Sequence, residues 1–170
     1  MFRLDGGYIV LDEAAVRRGA EGLSAIAADW REHHFIAITG APAGATADDL
    51  AELGRAAQAF DRVVICESCD AGCATGSHAA AMFARAVRSA GRAECLVVGD
   101  PHRALRHCVE SMVPGDAVVY CCGDIETAER ILGEYGAVPV DKPARTRAEV
   151  KTGTRVAPGG TTGELTAARI

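Results

Sequence analysis

A cluster of cysteines is the part of this sequence whose residue types and spacing could do chemistry. Cys66, Cys69 and Cys73 follow one another at intervals of three and four residues. Three thiolates at this spacing can reach one soft metal ion, and a zinc site or an iron–sulfur cluster needs four ligands. The fourth ligand would be His78, Cys121, Cys122 or a cysteine from another subunit. The sequence therefore predicts a candidate metal site for zinc or iron–sulfur, which a homo-oligomer could complete.

The same cysteines allow two other interpretations. Cys66 and Cys69 form a Cys-x-x-Cys pair, which in redox proteins has a helix N-terminus beneath the first thiol to stabilise its thiolate. The next helix is predicted to begin near Ser77, after both residues, which counts against a redox pair. The third interpretation is a loop of small residues that carries free thiols. Cys95 at a strand start and Cys108 on an apolar helical stripe are predicted to be core residues.

Carboxylates and glycines also fall at the ends of predicted strands, where the chemistry of a parallel sheet is expected. Aspartates there could bind Mg²⁺, although Asp100 and Asp124 are also explained as helix caps. The loop at residues 40–44 could present backbone amides to an anion, but it holds no Lys or Arg, which favours a plain tight turn. The predicted cleft residues are Asp12, Gly40, Ala41, Glu67, Asp100 and Asp124.

The histidines are weaker candidates for a site. His33 and His34 precede a strand at the opposite end of the sheet and are expected to be solvated. His102 lies in the first turn of a predicted helix, nearer the strand ends. His107 is on the same helix and is expected to face solvent.

Five short apolar runs position these residues, and a helix signal follows each of them. Continuous β-branched runs that alternate with helices are typical of a parallel sheet covered on both faces. The sequence predicts an α/β fold, a three-layer Rossmann-like domain with a mostly parallel sheet of five or six strands. The predicted strands are 8–11, 35–38, 62–65, 95–98 and 117–120, with a short edge strand at 137–140.

The helix signals agree with this alternation. One helix is predicted over about residues 13–32, with an apolar face formed by Leu23, Ile26, Ala27 and Trp30. Side chains that cap helices are predicted at Thr46 with Asp49, Ser77, Asp100 and Asp124. If the strands that precede Cys66 and Cys121 lie two places apart, their ends are about 10 Å apart and the cysteine loop could reach across.

Length and composition describe an ordinary globular domain. The 170 residues carry a net charge of −5, 49% hydrophobic residues and seven cysteines. No apolar stretch approaches the ~20 residues of a membrane span, and the N-terminus lacks the regions of a signal peptide. These features predict a cytoplasmic protein with free thiols, no membrane partner and an acidic body that repels nucleic acids. Residues 1–140 are predicted to form the domain, and 141–170 a flexible tail or linker.

Several segments, taken in order, resemble the C-terminal domain of the Mur ligase family, and most closely its cyanophycin synthetase-like branch. Residues 4–12 resemble the strand that opens that domain, and residues 60–65 resemble its third strand. The other matching segments are 40–42 with 48–55, which resemble the second strand-to-helix loop, and 114–119, which resemble the Pro-Gly-Asp turn before the fifth strand. The resemblance covers about residues 4–135.

The resemblance implies an ATP-dependent ligase that activates a carboxylate as an acyl phosphate and couples it to an amine. ATP and Mg²⁺ would be its cofactors, and an amino acid or a peptide its small-molecule substrate. In that family a central domain carries the phosphate-binding loop, and the C-terminal domain closes over the nucleotide. This chain contains no Gly-x-x-x-x-Gly-Lys-[Ser/Thr]. It is therefore expected to need a nucleotide-binding domain or protein as its partner and not to be catalytic by itself.

Charged positions of the family's motifs are changed in this chain. After the opening strand the family has Asp-Tyr-x-His-Asn-Pro, of which only Asp12 is kept, and an arginine-bearing loop reads Gly44-Ala45-Thr46 here. The loop after the third strand has become the cysteine-rich segment 66–73. These changes favour a scaffold whose ligase role is lost or altered. The alternatives are a non-catalytic binding or assembly module with a metal site, and a thiol-dependent redox protein.

Overall fold

The structure is a computed structural model that describes residues 1–12, 14–68, 76–121 and 123–141. Within these residues seven strands form one sheet: β1 (Phe2–Leu4), β2 (Gly7–Leu11), β3 (His34–Gly40), β4 (Arg62–Cys66), β5 (Glu94–Val98), β6 (Asp116–Tyr120) and β7 (Val138–Pro139). The helices are α1 (Ala14–Arg17), α2 (Gly19–Asp29), α3 (Ala47–Ala56), α4 (Ser77–Ala90), α5 (Pro101–Ser111) and α6 (Ile125–Glu134). No helix in this part of the chain is long and apolar enough to cross a membrane.

The sheet is mostly parallel, with its strands in the order β5-β4-β3-β6-β2-β1-β7. The five strands from β5 to β2 run parallel, whereas β1 is antiparallel to both of its neighbours, β2 and β7. The five parallel strands are the five apolar runs of the sequence, so the predicted α/β fold is confirmed. The predicted edge strand near residues 137–140 is confirmed as β7.

The sheet is larger than the five or six strands expected because β1 adds a hairpin in front of β2. Asp5 and Gly6 make the turn with positive φ angles of 47° and 84°, as a two-residue hairpin turn requires. Phe2 and Leu4 are buried on either side of the exposed Arg3. A segment of three residues is too short for this alternation to indicate a strand in the sequence alone.

Helices cover both faces of the sheet. The chain steps in one direction from β2 through β3 and β4 to β5, and then returns to β6. Because crossovers between parallel strands are right-handed, α2, α3 and α4 lie on one face and α5 and α6 on the other. The contacts agree, since α3 packs against α2 and α4, while α5 packs against α6, β3 and β4. The three predicted layers are therefore present.

The helix expected over residues 13–32 is divided into two helices, α1 and α2. Gly19 at their junction has a φ of 58°, in the left-handed region that favours glycine. The two helices pack closely, because a Cβ at Gly22 would lie 2.4 Å from the carbonyl oxygen of Ala15. The apolar face is confirmed by the buried side chains Leu23, Ile26, Ala27 and Trp30.

Most of the predicted helix caps are present. The confirmed caps are Thr46 with Asp49, which form a complete capping box on α3, Asp100 on α5 and Asp124 on α6. The cap predicted at Ser77 is wrong, because Ser77 is the first residue of α4 and Gly76 precedes it with a φ of 111°. A backbone in that conformation suits glycine and not serine.

Candidate functional site

The ends of the five parallel strands meet at one edge of the sheet, which we call the carboxyl edge. Cys66 on β4 is in register with Gly40 on β3 and Val98 on β5, and Tyr120 on β6 is in register with Leu11 on β2. Each strand end leads into a loop at this edge. The residues predicted to form a cleft all lie in these strand ends and loops: Asp12, Gly40, Ala41, Glu67, Asp100 and Asp124.

A crevice is expected at this edge between β3 and β6, which are neighbours in the sheet. The chain leaves β3 towards α3 on one face and leaves β6 towards α6 on the other. Ligands of open α/β sheets bind where the connections of adjacent strands diverge in this way. Gly40 and Ala41 are buried at this point, as is Cys121. They would form the floor of such a crevice, so polar groups that meet a ligand there would have to come from the surrounding loops.

Asp12 is held in place at the end of β2. Its backbone amide donates to the carbonyl of Tyr120 at 3.0 Å, which ties the loop to β6. One carboxylate oxygen accepts a bond from the amide of Ala14 at 3.1 Å. The other oxygen accepts a 2.7 Å bond from the guanidinium of Arg18. The carboxylate therefore fixes an arginine at the carboxyl edge.

Asp100 and Asp124 act as helix caps at the same edge. Asp100 accepts a 2.7 Å bond from the amide of Arg103, and Asp124 accepts a 3.0 Å bond from the amide of Thr127. The hydroxyl and the amide of Thr127 hold the pKa of Asp124 below its ordinary value, and His102 adds to this effect. These bonds already engage both carboxylates, so the capping role explains the two residues.

His102 and Glu67 are two further polar residues at the carboxyl edge. The Nε2 atom of His102 lies 3.7 Å from Asp124 Oδ2, which confirms that this histidine is near the strand ends. Glu67 is half-buried, and its backbone joins two loops. Its amide donates to the Val98 carbonyl at 3.0 Å, and its carbonyl accepts from the Gly76 amide at 2.8 Å.

A cleft of about 390 Å³ opens at the carboxyl edge between the α1–α2 junction and the β3–α3 loop. Its walls carry charges of both signs, from Arg17, Arg18, Glu21, Asp49 and Glu52. The predicted loop at residues 40–44 is a tight turn, in which the Ala45 amide donates to the Pro42 carbonyl at 3.3 Å. The loop itself has no cation, but the fold brings two arginines from the preceding loop and α1 against it.

These arginines are the site residues that sequence reasoning overlooked. Arg17 and Arg18 follow a predicted strand end by only a few residues. That placement was a usable signal, because the loops after parallel strands share one edge. Their pairing with the 42–45 turn could not be read from the sequence, since it depends on strand order.

The cleft does not suit a nucleotide triphosphate by itself. Phosphates are usually held by several cations and by free backbone amides. Here two arginines face three carboxylates, one arginine is bound to Asp12, and Thr46 and Asp49 cap the start of α3. The described residues of this cleft therefore do not form an ATP site by themselves.

The candidate metal ligands lie only partly within the described residues. Cys66 and Cys121 are buried at the ends of β4 and β6, which flank β3, so the condition that the two strands lie two places apart is met. His78 is exposed in the first turn of α4. Cys69, Cys73 and Cys122 are outside the described residues, and residues 1–12, 14–68, 76–121 and 123–141 contain no group of three potential ligands. The metal site stays a prediction.

The other described thiols are shielded and protonated. Burial raises the pKa of Cys121 far above its ordinary value, and the Asp12 carboxylate adds to this effect. Burial also raises the pKa of Cys108 to about 11. Cys108 is a core residue as predicted, but Cys95 is only half-buried because β5 is an edge strand. Protonated thiols are poor nucleophiles, so none of these residues favours nucleophilic or redox chemistry.

The paired histidines at the other end of the sheet differ from each other. His34 is exposed, and its Nδ1 atom lies 3.1 Å from the buried Asp116 carboxylate. His33 was expected to be solvated, which is wrong. Its ring packs edge-on against Tyr8 and Trp30 at centroid distances of 5.8 and 5.2 Å. His107 faces solvent as predicted.

Two solved structures share this fold. The UDP-N-acetylmuramate-alanine ligase MurC from Thermotoga maritima matches with a TM-score of 0.54 and 16% identity, over 78% of this chain and 27% of that chain. The murein peptide ligase Mpl from Psychrobacter arcticus matches with a TM-score of 0.52 and 14% identity, over 81% of this chain and 29% of that chain. The chain matches no protein-family profile, and no curated protein is significantly similar in sequence.

These matches concern the fold. At 14–16% identity they show that the α/β architecture is like that of part of two Mur ligases. This chain spans less than a third of the length of either protein. The Mur ligase resemblance of the sequence is thus supported at the level of the fold, and the cyanophycin synthetase-like branch stays a prediction.

Proposed function

We propose that this chain is the C-terminal type of Mur ligase domain, from the cyanophycin synthetase-like branch, and that it acts with a separate nucleotide-binding domain. The reaction would join a carboxylate to an amine at the expense of ATP. One observation carries the proposal: a fold shared with two Mur ligases presents a cleft of mixed charge at its carboxyl edge. The use of ATP is also the reason to propose a cytoplasmic location.

The chemistry that the proposal needs has two steps. The γ-phosphoryl group of ATP passes to the substrate carboxylate, which gives an acyl phosphate and ADP. The amine then attacks the acyl carbon, and inorganic phosphate leaves as the amide forms. The nucleotide and its Mg²⁺ ion would be held by the partner, because the sequence contains no phosphate-binding loop and the described cleft has no set of cations that suits a triphosphate.

The part assigned to this chain is to position the incoming amino acid. An amino acid carries a carboxylate and an ammonium group a few ångströms apart, so it needs a site with both signs of charge. The cleft provides Arg17 and Arg18 on one wall and Glu52 and Asp49 on another. Guanidinium groups bind carboxylates through paired hydrogen bonds. Arg18 is already oriented by Asp12, so its position is fixed before a substrate binds.

The test is a reconstitution with the nucleotide-binding polypeptide. A segment with Gly-x-x-x-x-Gly-Lys-[Ser/Thr] is expected in the same polypeptide or in a neighbouring gene. The polypeptide that contains this segment is purified together with this chain. ADP release that depends on ATP, a carboxylate and an amino acid is expected only when both parts are present. The proposal fails if no such segment exists, or if the partner turns over ATP equally well without this chain.

Arginine variants test the assigned cleft in the same assay. Arg17→Ala and Arg18→Ala are each expected to raise KM for the amino acid by at least about tenfold, since a charged hydrogen bond is lost. Arg3→Ala is the matched control, because Arg3 is exposed on β1, pairs with Tyr8 near the start of β2 and does not line the cleft. An unchanged KM in both cleft variants would place amino-acid binding elsewhere.

A further inference from the structure

One side of the sheet ends in a strand edge that no described residue pairs with. β5 is the last strand of the sheet, and only its inner side bonds to β4. The Glu94 amide donates to the Asp61 carbonyl, and the Val98 carbonyl accepts from the Glu67 amide. Because backbone groups alternate in direction along a strand, those of Cys95 and Val97 point outwards. This outer side of β5, together with α4 beside it, is called the β5 edge below.

The β5 edge is basic in a chain whose net charge is −5. Residues 76–93 contain three arginines and one histidine but no Asp or Glu. Arg85, Arg88 and Arg92 are all exposed. Within the described residues, neither Arg85 nor Arg92 forms an ion pair with a carboxylate. The surface therefore has positive charge that no described carboxylate neutralises.

Apolar side chains on the same elements are open to solvent. Met82 on α4 is 39% exposed and Leu96 on β5 is 40% exposed. α4 and β5 are in contact with each other. An edge strand with free backbone groups and exposed apolar side chains is a place where an extended peptide can add as a further strand.

In the absence of a partner, the Arg88 side chain occupies an outward-facing acceptor of this edge. Its guanidinium donates to the outward-facing Cys95 carbonyl at 3.2 Å. An added strand needs that carbonyl as an acceptor for one of its own amides, so Arg88 must move away. A carboxylate on the added strand gives Arg88 a stronger, charge-assisted partner in exchange. This exchange of hydrogen-bond partners by Arg88 therefore favours an acidic strand over a neutral or basic one.

A second copy of this chain fits the β5 edge poorly. If two β5 strands paired around a two-fold axis, the two sheets would be continuous and the two α4 helices would lie side by side. Helices packed in this way are about 8–10 Å apart. Arg85 and Arg88 of each copy would then face the same residues of the other copy. This like-charge arrangement opposes self-association through the edge.

We propose that the β5 edge binds an extended, acidic peptide segment of another protein, which adds as a strand next to β5 and places its carboxylates on Arg85 and Arg88. The added strand bonds to the outward groups of Cys95 and Val97. Its apolar side chains cover Leu96 or Met82. This partner is independent of the amide-ligase proposal, since the β5 edge is separate from the cleft lined by Arg17 and Arg18.

The test uses the full chain and a short, fluorescein-labelled peptide of alternating Val and Glu as the probe. Fluorescence anisotropy is expected to show binding that weakens by several-fold when salt is raised to ~0.3 M. Hydrogen exchange is expected to slow at the Cys95 and Val97 amides when the peptide is present. A Val–Lys peptide, and a Val–Glu peptide with N-methylated valines, are expected not to bind.

Two variants separate the charge from the strand pairing. Arg85→Ala is expected to weaken peptide binding by about two- to fivefold, as for an exposed ion pair, while Arg3→Ala leaves it unchanged. Val97→Pro removes an outward amide that is not used in the sheet and is expected to abolish binding. Salt-sensitive binding without slower exchange in β5 would overturn the proposal, as would a dimer that protects the same amides without peptide. Equal binding of the N-methylated peptide would overturn it too, and this readout does not depend on Val97→Pro folding.

Discussion

Asp124 combines a helix cap with an unusual backbone conformation. It accepts a hydrogen bond from the Thr127 amide at 3.0 Å while its φ is 52°, in the left-handed region. Asp and Asn are among the few residues that adopt this conformation at low cost, because their short polar side chains bond locally. The sequence predicts Asp124 as a cleft residue at a strand end, and its contacts explain it as a helix cap. Asp100 at the carboxyl edge is likewise a strand-end carboxylate that its hydrogen bond explains as a helix cap.

Substitution of Asp124 is expected to change the acid limb of the stability profile. The pKa of this carboxyl is lowered from its ordinary 3.8, first by the hydrogen bonds from Thr127. A lowered folded-state pKa contributes stability above the ordinary value, and this is lost as the pH falls through the lowered one. Urea unfolding of the wild type and Asp124→Asn should therefore differ most above pH ~4 and converge in stronger acid.

Asp124→Ala is the companion variant. It loses the cap and also forces alanine into a left-handed backbone, so it should be less stable than Asp124→Asn at every pH. Equal stability of the two variants near neutral pH would show that the cap and the conformation contribute nothing. An unchanged acid limb in Asp124→Asn would contradict the charge argument.

At the level of the elements, the close contact between α3 and α4 determines how one face of the sheet is covered. The Cβ position at Gly54 lies only 2.6 Å from the carbonyl oxygen of Ala86, so only glycine lets the two helices approach this closely. Gln58 joins the same elements, since its amide donates to the Gly54 and Val87 carbonyls at 3.1 and 2.9 Å. Its carbonyl accepts from the Ala93 amide at 3.0 Å, just before β5.

Gly54→Ala is expected to destabilise the protein by about 1–3 kcal/mol, because the added methyl group meets backbone and not a flexible side chain. Gly133→Ala is the matched control. Gly133 is exposed in α6 with no atom near its Cβ position, so alanine there should stabilise by about 0.5–1 kcal/mol. Chemical unfolding of both variants measures the difference. Similar effects of the two substitutions would mean that the α3–α4 contact is looser than the structure shows.

On the scale of the whole molecule, the buried core of the described residues extends from Phe2 to Ala137. β7 pairs with β1 as the last strand of the sheet. Next to it, the Val140 amide donates to the Met1 carbonyl at 3.1 Å. The two ends of this core are therefore adjacent on one side of the sheet. The boundary near residue 140 stays a prediction, and its test is truncation.

A chain that ends at residue 141 is expected to unfold cooperatively within about 1 kcal/mol of the full chain, because all the described core contacts are kept. A chain that ends at residue 136 is the contrast. It lacks β7 and the buried Ala137, so β1 loses a neighbour and the protein should be clearly less stable. Thermal and urea unfolding compare the three lengths. A large loss of stability on truncation at 141 would show that residues 142–170 contribute to the fold.

Local sequence was enough for the parts of the fold that depend on neighbouring residues. The five parallel strands, the capping box at Thr46 and the caps at Asp100 and Asp124 were all predicted, because each depends on residues within a few positions. β1 was missed because it has only three residues. The break at Gly19 was missed because an apolar stripe continues across it.

Tertiary structure alone decided the arrangement of these parts. Strand order placed β5 at the edge of the sheet, where Cys95 is half-exposed and the outward groups of Val97 have no strand partner among the described residues. Strand order also brought Arg17 and Arg18 against the turn at residues 42–45. The physical reason is that backbone pairing between strands is almost independent of side-chain identity, so periodicity identifies a strand without specifying its neighbour. The sequence by itself determined the elements and the edge on which their loops gather, and packing of the whole chain determined which side chains meet there.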